Sequence, residues 1–169
     1  TLGTTVELAP PVLRARCEAG LAQRYGTLGP EVTGRLDDEL SVIGRLGFES
    51  YFLTVADVVG LIRGLGIRCA ARGSGAGSLV NYALGVSGVD PIRHGLIMER
   101  FLSPLRQALP DIDLDVESAR RTEVYDKILA TFGGQRVACV AMIETYRVRH
   151  AVRDVGAALS LPPVEVDAM

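Results

Sequence analysis

The chain has 169 residues, 48% hydrophobic and 22% charged, with 18 basic against 20 acidic side chains and a formal net charge of −2. That balance supports one folded core and argues against disorder. The net charge by itself gives no sign of nucleic-acid binding, and no apolar run approaches the ~20 residues that a membrane-spanning helix needs.

Residues 11–25 read as a helix, with Pro10 and Pro11 at its start and Gly26 as its stop. Residues 31–46 read as a second, in which Leu36, Leu40, Ile43 and Leu46 recur at helical spacing before Gly47. The stretch 51–65 is predicted as a third, apolar on most sides and so buried on several. A short core strand is expected at 67–70. A glycine-rich turn follows, Arg72-Gly73-Ser74-Gly75-Ala76-Gly77-Ser78, and then a helix over 79–84.

Residues 86–110 are irregular, with Asp90-Pro91 and Ser103-Pro104 marking turns. From Asp111 to Val116 acidic and apolar residues alternate strictly, the period of a strand. Ser118 reads as the N-cap of a helix over 119–132, stopped by Gly133-Gly134. A strand over 137–142 and a helix over 147–159 complete the pattern. The fold class is therefore mixed α/β (α+β), a domain over 49–169 preceded by helices in 1–48. The first residue is Thr1, and the stretch ending at Met169 reads as unfinished, so the chain is expected to be a piece of a longer protein.

Charge is unevenly spread. Six arginines fall between Arg63 and Arg106, and seven basic residues between Arg120 and Arg153; acids gather before Ser50 and around Asp111–Glu117. An acidic spot between basic stretches suits a metal ion and a polyanionic substrate, though ordinary mixed surface charge gives the same pattern. Cys17, Cys69 and Cys139 lack metal-ligand spacing, which points to free thiols in a reducing compartment.

In a strand, Asp111, Asp113 and Asp115 share one face while Ile112, Leu114 and Val116 point to the other. Aligned carboxylates repel one another unless a cation neutralises them, and hard oxygen donors suit Mg²⁺ together with substrate phosphates. The alternatives are an edge strand with a solvated acidic face and a Ca²⁺ loop. An EF-hand is excluded because Val116 and Thr122 stand where it needs Gly and Glu.

The 72–78 turn lies between a strand and a helix, where glycines admit close approach and backbone N–H groups meet anions. Ser74 and Ser78 add hydroxyls and Arg72 a guanidinium fork. The turn is neither a Walker loop nor a dinucleotide fingerprint, and a flexible helix entry is its plainer reading. Acids and turn together describe a nucleotidyl-transfer site, with Arg100 and Arg106 near enough in sequence to take part or simply to be solvated.

The run Tyr51-Phe52-Leu53, the turn from Ala71 to Ser78, the stretch Glu99-Arg100-Phe101-Leu102-Ser103-Pro104, the segment Pro110-Asp111-Ile112-Asp113-Leu114-Asp115 and Arg153-Asp154-Val155-Gly156 occur in this order in bacterial C-family DNA polymerases, the DNA polymerase III alpha subunits. The chain resembles that family over nearly its whole length, more weakly before Glu31. Within the family, Val116-Glu117-Ser118-Ala119-Arg120-Arg121 and Glu144-Thr145-Tyr146-Arg147-Val148-Arg149-His150 resemble the error-prone branch used in damage tolerance.

The resemblance implies a palm of the polymerase-beta-like nucleotidyltransferase fold. It implies two Mg²⁺ ions, with Mn²⁺ as a substitute, on Asp111 and Asp113, with Asp115 as a further metal ligand or an orienting neighbour. It implies a triphosphate pocket lined by Arg72, Gly73, Ser74, Gly75 and Ser78, flanked by Arg100 and Arg106, with Arg149 facing phosphates or DNA. The implied substrates are a DNA primer–template and deoxynucleoside triphosphates in the cytoplasm. A sliding clamp and accessory proteins would bind through regions outside this chain. The family's third catalytic carboxylate has no counterpart here, so the chain alone is expected to be inactive.

Overall fold

The computed structural model describes residues 6–103, 105, 109–141, 143, 145 and 147–168. They form two compact units, 1–134 and 135–169. The architecture is mixed and mostly helical, with one two-stranded sheet.

In the first unit, α1 (Ala9–Tyr25) and α2 (Pro30–Leu46) each carry proline in the first turn, where a missing N–H is harmless. Gly26 and Gly47 follow their last residues. The third helix, α3 (Glu49–Gly64), buries Phe52, Leu53, Val59 and Ile62, leaves its other residues up to Val58 half-buried, and exposes Gly60, Arg63 and Gly64. It is therefore covered on several sides, as its apolar character predicts, and opens to solvent toward its end.

The strand β1 (Cys69–Ala71) lies slightly later than its apolar run, and α4 (Leu79–Ala83) follows the glycine turn. The strand β2 (Leu114–Val116) pairs antiparallel with β1, Ala70 standing opposite Asp115 and Ala71 opposite Leu114. Only the second half of the alternating 111–116 segment is regular strand, because β1 offers three residues to pair with. A single 3-10 turn, Ser118–Arg120, then leads into α5 (Arg121–Phe132). Arg120 occupies the cap position, without a capping side chain, so Ser118 is not the N-cap that the sequence suggested.

Two apolar clusters hold this unit together. One gathers Leu13, Cys17 and Leu21 of α1, Leu36 and Ile43 of α2, Phe52 and Leu53 of α3, Leu79 and Val80 of α4, and Phe101 and Leu102. The other joins Val59 and Ile62 of α3 to Ile67, Cys69, Ala71, Val86 and Val124. Ile112 packs against both, while Leu114 and Val116 pack against the second. These three are half-buried, so each contributes only part of the about 1.5–3 kcal/mol that full burial of such a side chain gives, and together they pin the acidic segment to the core.

The second unit comprises α6 (Val148–Ala158) and α7 (Pro163–Asp167), packed on each other around Gly156 and Val166. Arg153 of α6 pairs with Asp167 of α7 at 2.7 Å. No strand forms over 137–141, an apolar run with no partner strand; Met142, its expected end, lies outside the described residues. Among the described residues no helix is long and apolar enough to cross a membrane.

Candidate active site

The alternation from Asp111 to Val116 appears directly in the burial. Asp111, Asp113 and Asp115 are exposed, while Ile112, Leu114 and Val116 are half-buried. The acids therefore occupy the outer face, as the period-two pattern predicts.

Tyr51 on α3 holds the start of this segment. Its hydroxyl donates to the Pro110 carbonyl at 2.7 Å. Burial raises the pKa of that hydroxyl above its ordinary value; the Ile112 N–H works against this, and the Asp111 and Asp113 carboxylates add to it. Tyr51 thus keeps its proton and remains a donor. Sequence reading quoted Tyr51 without giving it a role.

The glycine turn runs alongside. The Arg72 N–H donates to the Asp113 carbonyl at 3.1 Å, extending the β1–β2 ladder by one rung. The Arg72 guanidinium then reaches over the outer face, its Nε 3.1 Å from Asp115 Oδ1 and its Nη2 3.5 Å from Asp113 Oδ2. Both pairs are largely solvated, so each holds weakly, by about 0–1 kcal/mol. Arg72, Gly73 and Ser74 form the exposed side of the turn. Gly73 has φ 69°, a backbone state that side chains resist, and it turns the chain away from the sheet.

The opposite side of the turn faces inward. Gly75, Gly77 and Ser78 are buried. A Cβ on Gly77 would lie 2.7 Å from the Ile97 carbonyl oxygen, so only glycine fits there. The Ser78 hydroxyl donates to Glu39 Oε2 at 2.9 Å and accepts from the Asn81 N–H at 3.2 Å. Glu39, 1% exposed, also accepts from the N–H groups of Leu79 at 2.9 Å and Val80 at 3.1 Å. The free N–H groups at the start of α4 are thus satisfied by a carboxylate of the protein itself. Asn81 Nδ2 closes the turn by donating to the Gly75 carbonyl at 3.0 Å.

Arg100 ends the 3-10 turn Met98–Arg100 and is exposed, above the buried Met98, Phe101 and Leu102. Arg106 lies outside the described residues. Arg149 is an exposed residue of α6 in the second unit. The structure therefore brings Arg72 together with Asp113 and Asp115; Gly73 and Ser74 follow Arg72 along the exposed side of the turn, and Asp111 lies two residues before Asp113 on the same outer face. Sequence reading missed Glu39, Arg35 and Asn81, which shape the inner side of the turn.

Residues 11–169 match the family model described as the bacterial DNA polymerase III alpha NTPase domain. The chain belongs to that family. Among its curated relatives are three named error-prone DNA polymerase. The one from Pseudomonas aeruginosa is 46% identical over 158 residues, covering 93% of this chain and 15% of the relative. The one from Aromatoleum aromaticum is 44% identical over 162 residues, covering 93% and 15%. The one from Corynebacterium jeikeium is 46% identical over 161 residues, covering 92% and 14%. The chain thus spans about one seventh of the length of these relatives.

Proposed function

We propose that this chain is part of the palm of an error-prone, C-family DNA polymerase, of the polymerase-beta-like nucleotidyltransferase fold, whose parent extends a DNA primer from deoxynucleoside triphosphates during damage tolerance. Residues 49–169 are the partial palm and 1–48 its helical lead-in. The observation that carries the reading is the adjacency of the exposed acids to the exposed side of the glycine turn, joined where the Arg72 N–H meets the Asp113 carbonyl. The family match and the names of the relatives support it.

In this reading Asp111 and Asp113 hold divalent cations, Mg²⁺ with Mn²⁺ as a substitute, and Asp115 steadies Arg72. Among the described residues no three His, Cys, Asp or Glu side chains gather into a complete cation site. The donor set still fits Mg²⁺, which takes one or two carboxylates and completes its shell with water and phosphate. Two such ions supply activation of the primer 3′ hydroxyl and stabilisation of charge on the leaving pyrophosphate.

Arg72, Gly73 and Ser74 receive the triphosphate on their solvent side, and Gly75 and Ser78 set the shape of the turn from behind. Arg100, Arg106 and Arg149 serve phosphates or the DNA backbone, contacts that weaken as salt rises. The parent works in the cytoplasm. A sliding clamp and accessory proteins bind it through other regions of the parent.

Primer extension by the full-length parent tests this, alongside Mn²⁺ binding to the chain. The Asp111→Asn, Asp113→Asn double variant should lose both. Primer extension that survives the double substitution would exclude the site.

A further inference from the structure

The 72–78 turn is gripped from behind by one helix of the lead-in segment. Glu39 of α2 is 1% exposed and accepts four hydrogen bonds, three of them from the junction of turn and α4: the Ser78 hydroxyl and the Leu79 and Val80 N–H groups. The fourth comes from Arg35 Nε at 2.7 Å, one turn earlier on α2. Arg35 Nη2 also donates to the carbonyls of Gly77 at 3.1 Å and Leu96 at 3.3 Å. An acid and a base on one helix thus hold opposite polarities of the same turn, its N–H groups and its carbonyls.

A buried carboxylate is tolerated only when its lone pairs are filled and its charge is balanced. Here Arg35 on the same helix balances the charge, while three of the four donors that fill the lone pairs depend on the turn keeping its present shape. The converse follows: if Glu39 is altered, Ser78 and two amides lose their acceptor, and the turn is left with the hydrogen bonds of Asn81 and Arg35. The outer residues of the turn, Arg72 to Ser74, are only four to six positions away and share its backbone.

We infer that Glu39, charge-balanced by Arg35, is a positioning residue for the triphosphate. It acts from inside the protein by fixing the turn whose outer side receives the nucleotide. This rests on the polymerase reading above. Glu39 touches no reacting atom, so its effect should fall on nucleotide affinity rather than on the chemical step.

Steady-state primer extension by the full-length parent tests the inference, with nucleotide and primer–template varied separately. Glu39→Gln keeps the size of the side chain but turns an amide N–H₂ toward donors. It should raise the KM for deoxynucleoside triphosphate about tenfold, with kcat within about twofold and the KM for primer–template unchanged. Glu39→Asp, the milder variant, should move the nucleotide KM in the same direction by about threefold. A role in folding alone would reduce the active fraction, lowering kcat and leaving both KM values unchanged, and that result overturns the inference. Failure of both variants to fold overturns it as well. Asp113→Asn separates the levels. Full activity in that variant removes the assigned site, and the role of Glu39 with it, whereas its inactivity beside an unchanged nucleotide KM in Glu39→Gln removes the role of Glu39 alone.

Discussion

The first unit uses acids in two opposite ways. Glu39 is enclosed, four donors converge on it, and its charge is consumed by the fold. Asp111, Asp113 and Asp115 stand on the surface, and the only cation paired with any of them among the described residues is the exposed fork of Arg72. A carboxylate whose lone pairs are all taken gives shape. Carboxylates left half-neutralised in water keep affinity for an incoming cation. The fold separates the two by a few residues of backbone, with the glycine turn between them.

The contrast can be tested one acid at a time. The largest effect is expected for Asp113→Asn in the full-length parent, a loss of primer-extension rate of about 10⁴-fold with the fold intact, because charge stabilisation dominates phosphoryl transfer. Extension assays together with a thermal melt would separate activity from stability. Glu39→Ala should show the reverse emphasis. Removing one partner of a buried, charge-paired cluster costs about 3–5 kcal/mol in folding free energy, measurable by urea denaturation.

Asp90 falls between these extremes. It is half-buried, and its Oδ1 accepts from the N–H groups of Ile92 at 3.0 Å and Arg93 at 3.1 Å. Burial works against its ionisation, but the Arg93 amide, the nearby Tyr25 hydroxyl, the Ile92 amide and His94 together outweigh it and hold the carboxyl below its ordinary range. A depressed folded pKa gives stability that is complete above the unfolded value of about 3.9 and lost as the pH falls through the folded value. The stability difference between the wild type and Asp90→Asn, followed by urea denaturation across pH, should therefore shrink on acidification. The smallest effect is expected for Asp115→Asn. It breaks only a solvated pair and should alter stability by no more than about 0.5 kcal/mol. A larger loss would mean that the outer acids also build the fold.

The outer acids were legible in the sequence, and the inner one was overlooked. Alternation from 111 to 116 gave the correct inward and outward sets, although regular strand covers only Leu114–Val116, since pairing needs a partner and β1 ends after three residues. The helices were readable from their prolines, glycines and apolar spacing. The strand expected over 137–142 does not form in its described part, 137–141, and Ser118 is not the cap of α5, because an apolar run and a cap residue state a local preference that tertiary pairing must complete. Glu39 had a usable signal. Val32, Leu36, Glu39 and Ile43 fall at spacings of four, three and four, placing an acid on the buried stripe of α2. Beside Asp37 and Asp38 it lies among the acids that gather before Ser50, which hides that signal.

The grip of α2 on the turn also bears on how this protein can be rebuilt. A chimera joined at residue 48, taking its first helices from one polymerase and its acidic strand from another, would import a foreign Glu–Arg pair beneath a native loop. Grafts of that kind should work only when the helix and the loop are transplanted together, because they form a single heritable part although some forty residues separate them along the chain.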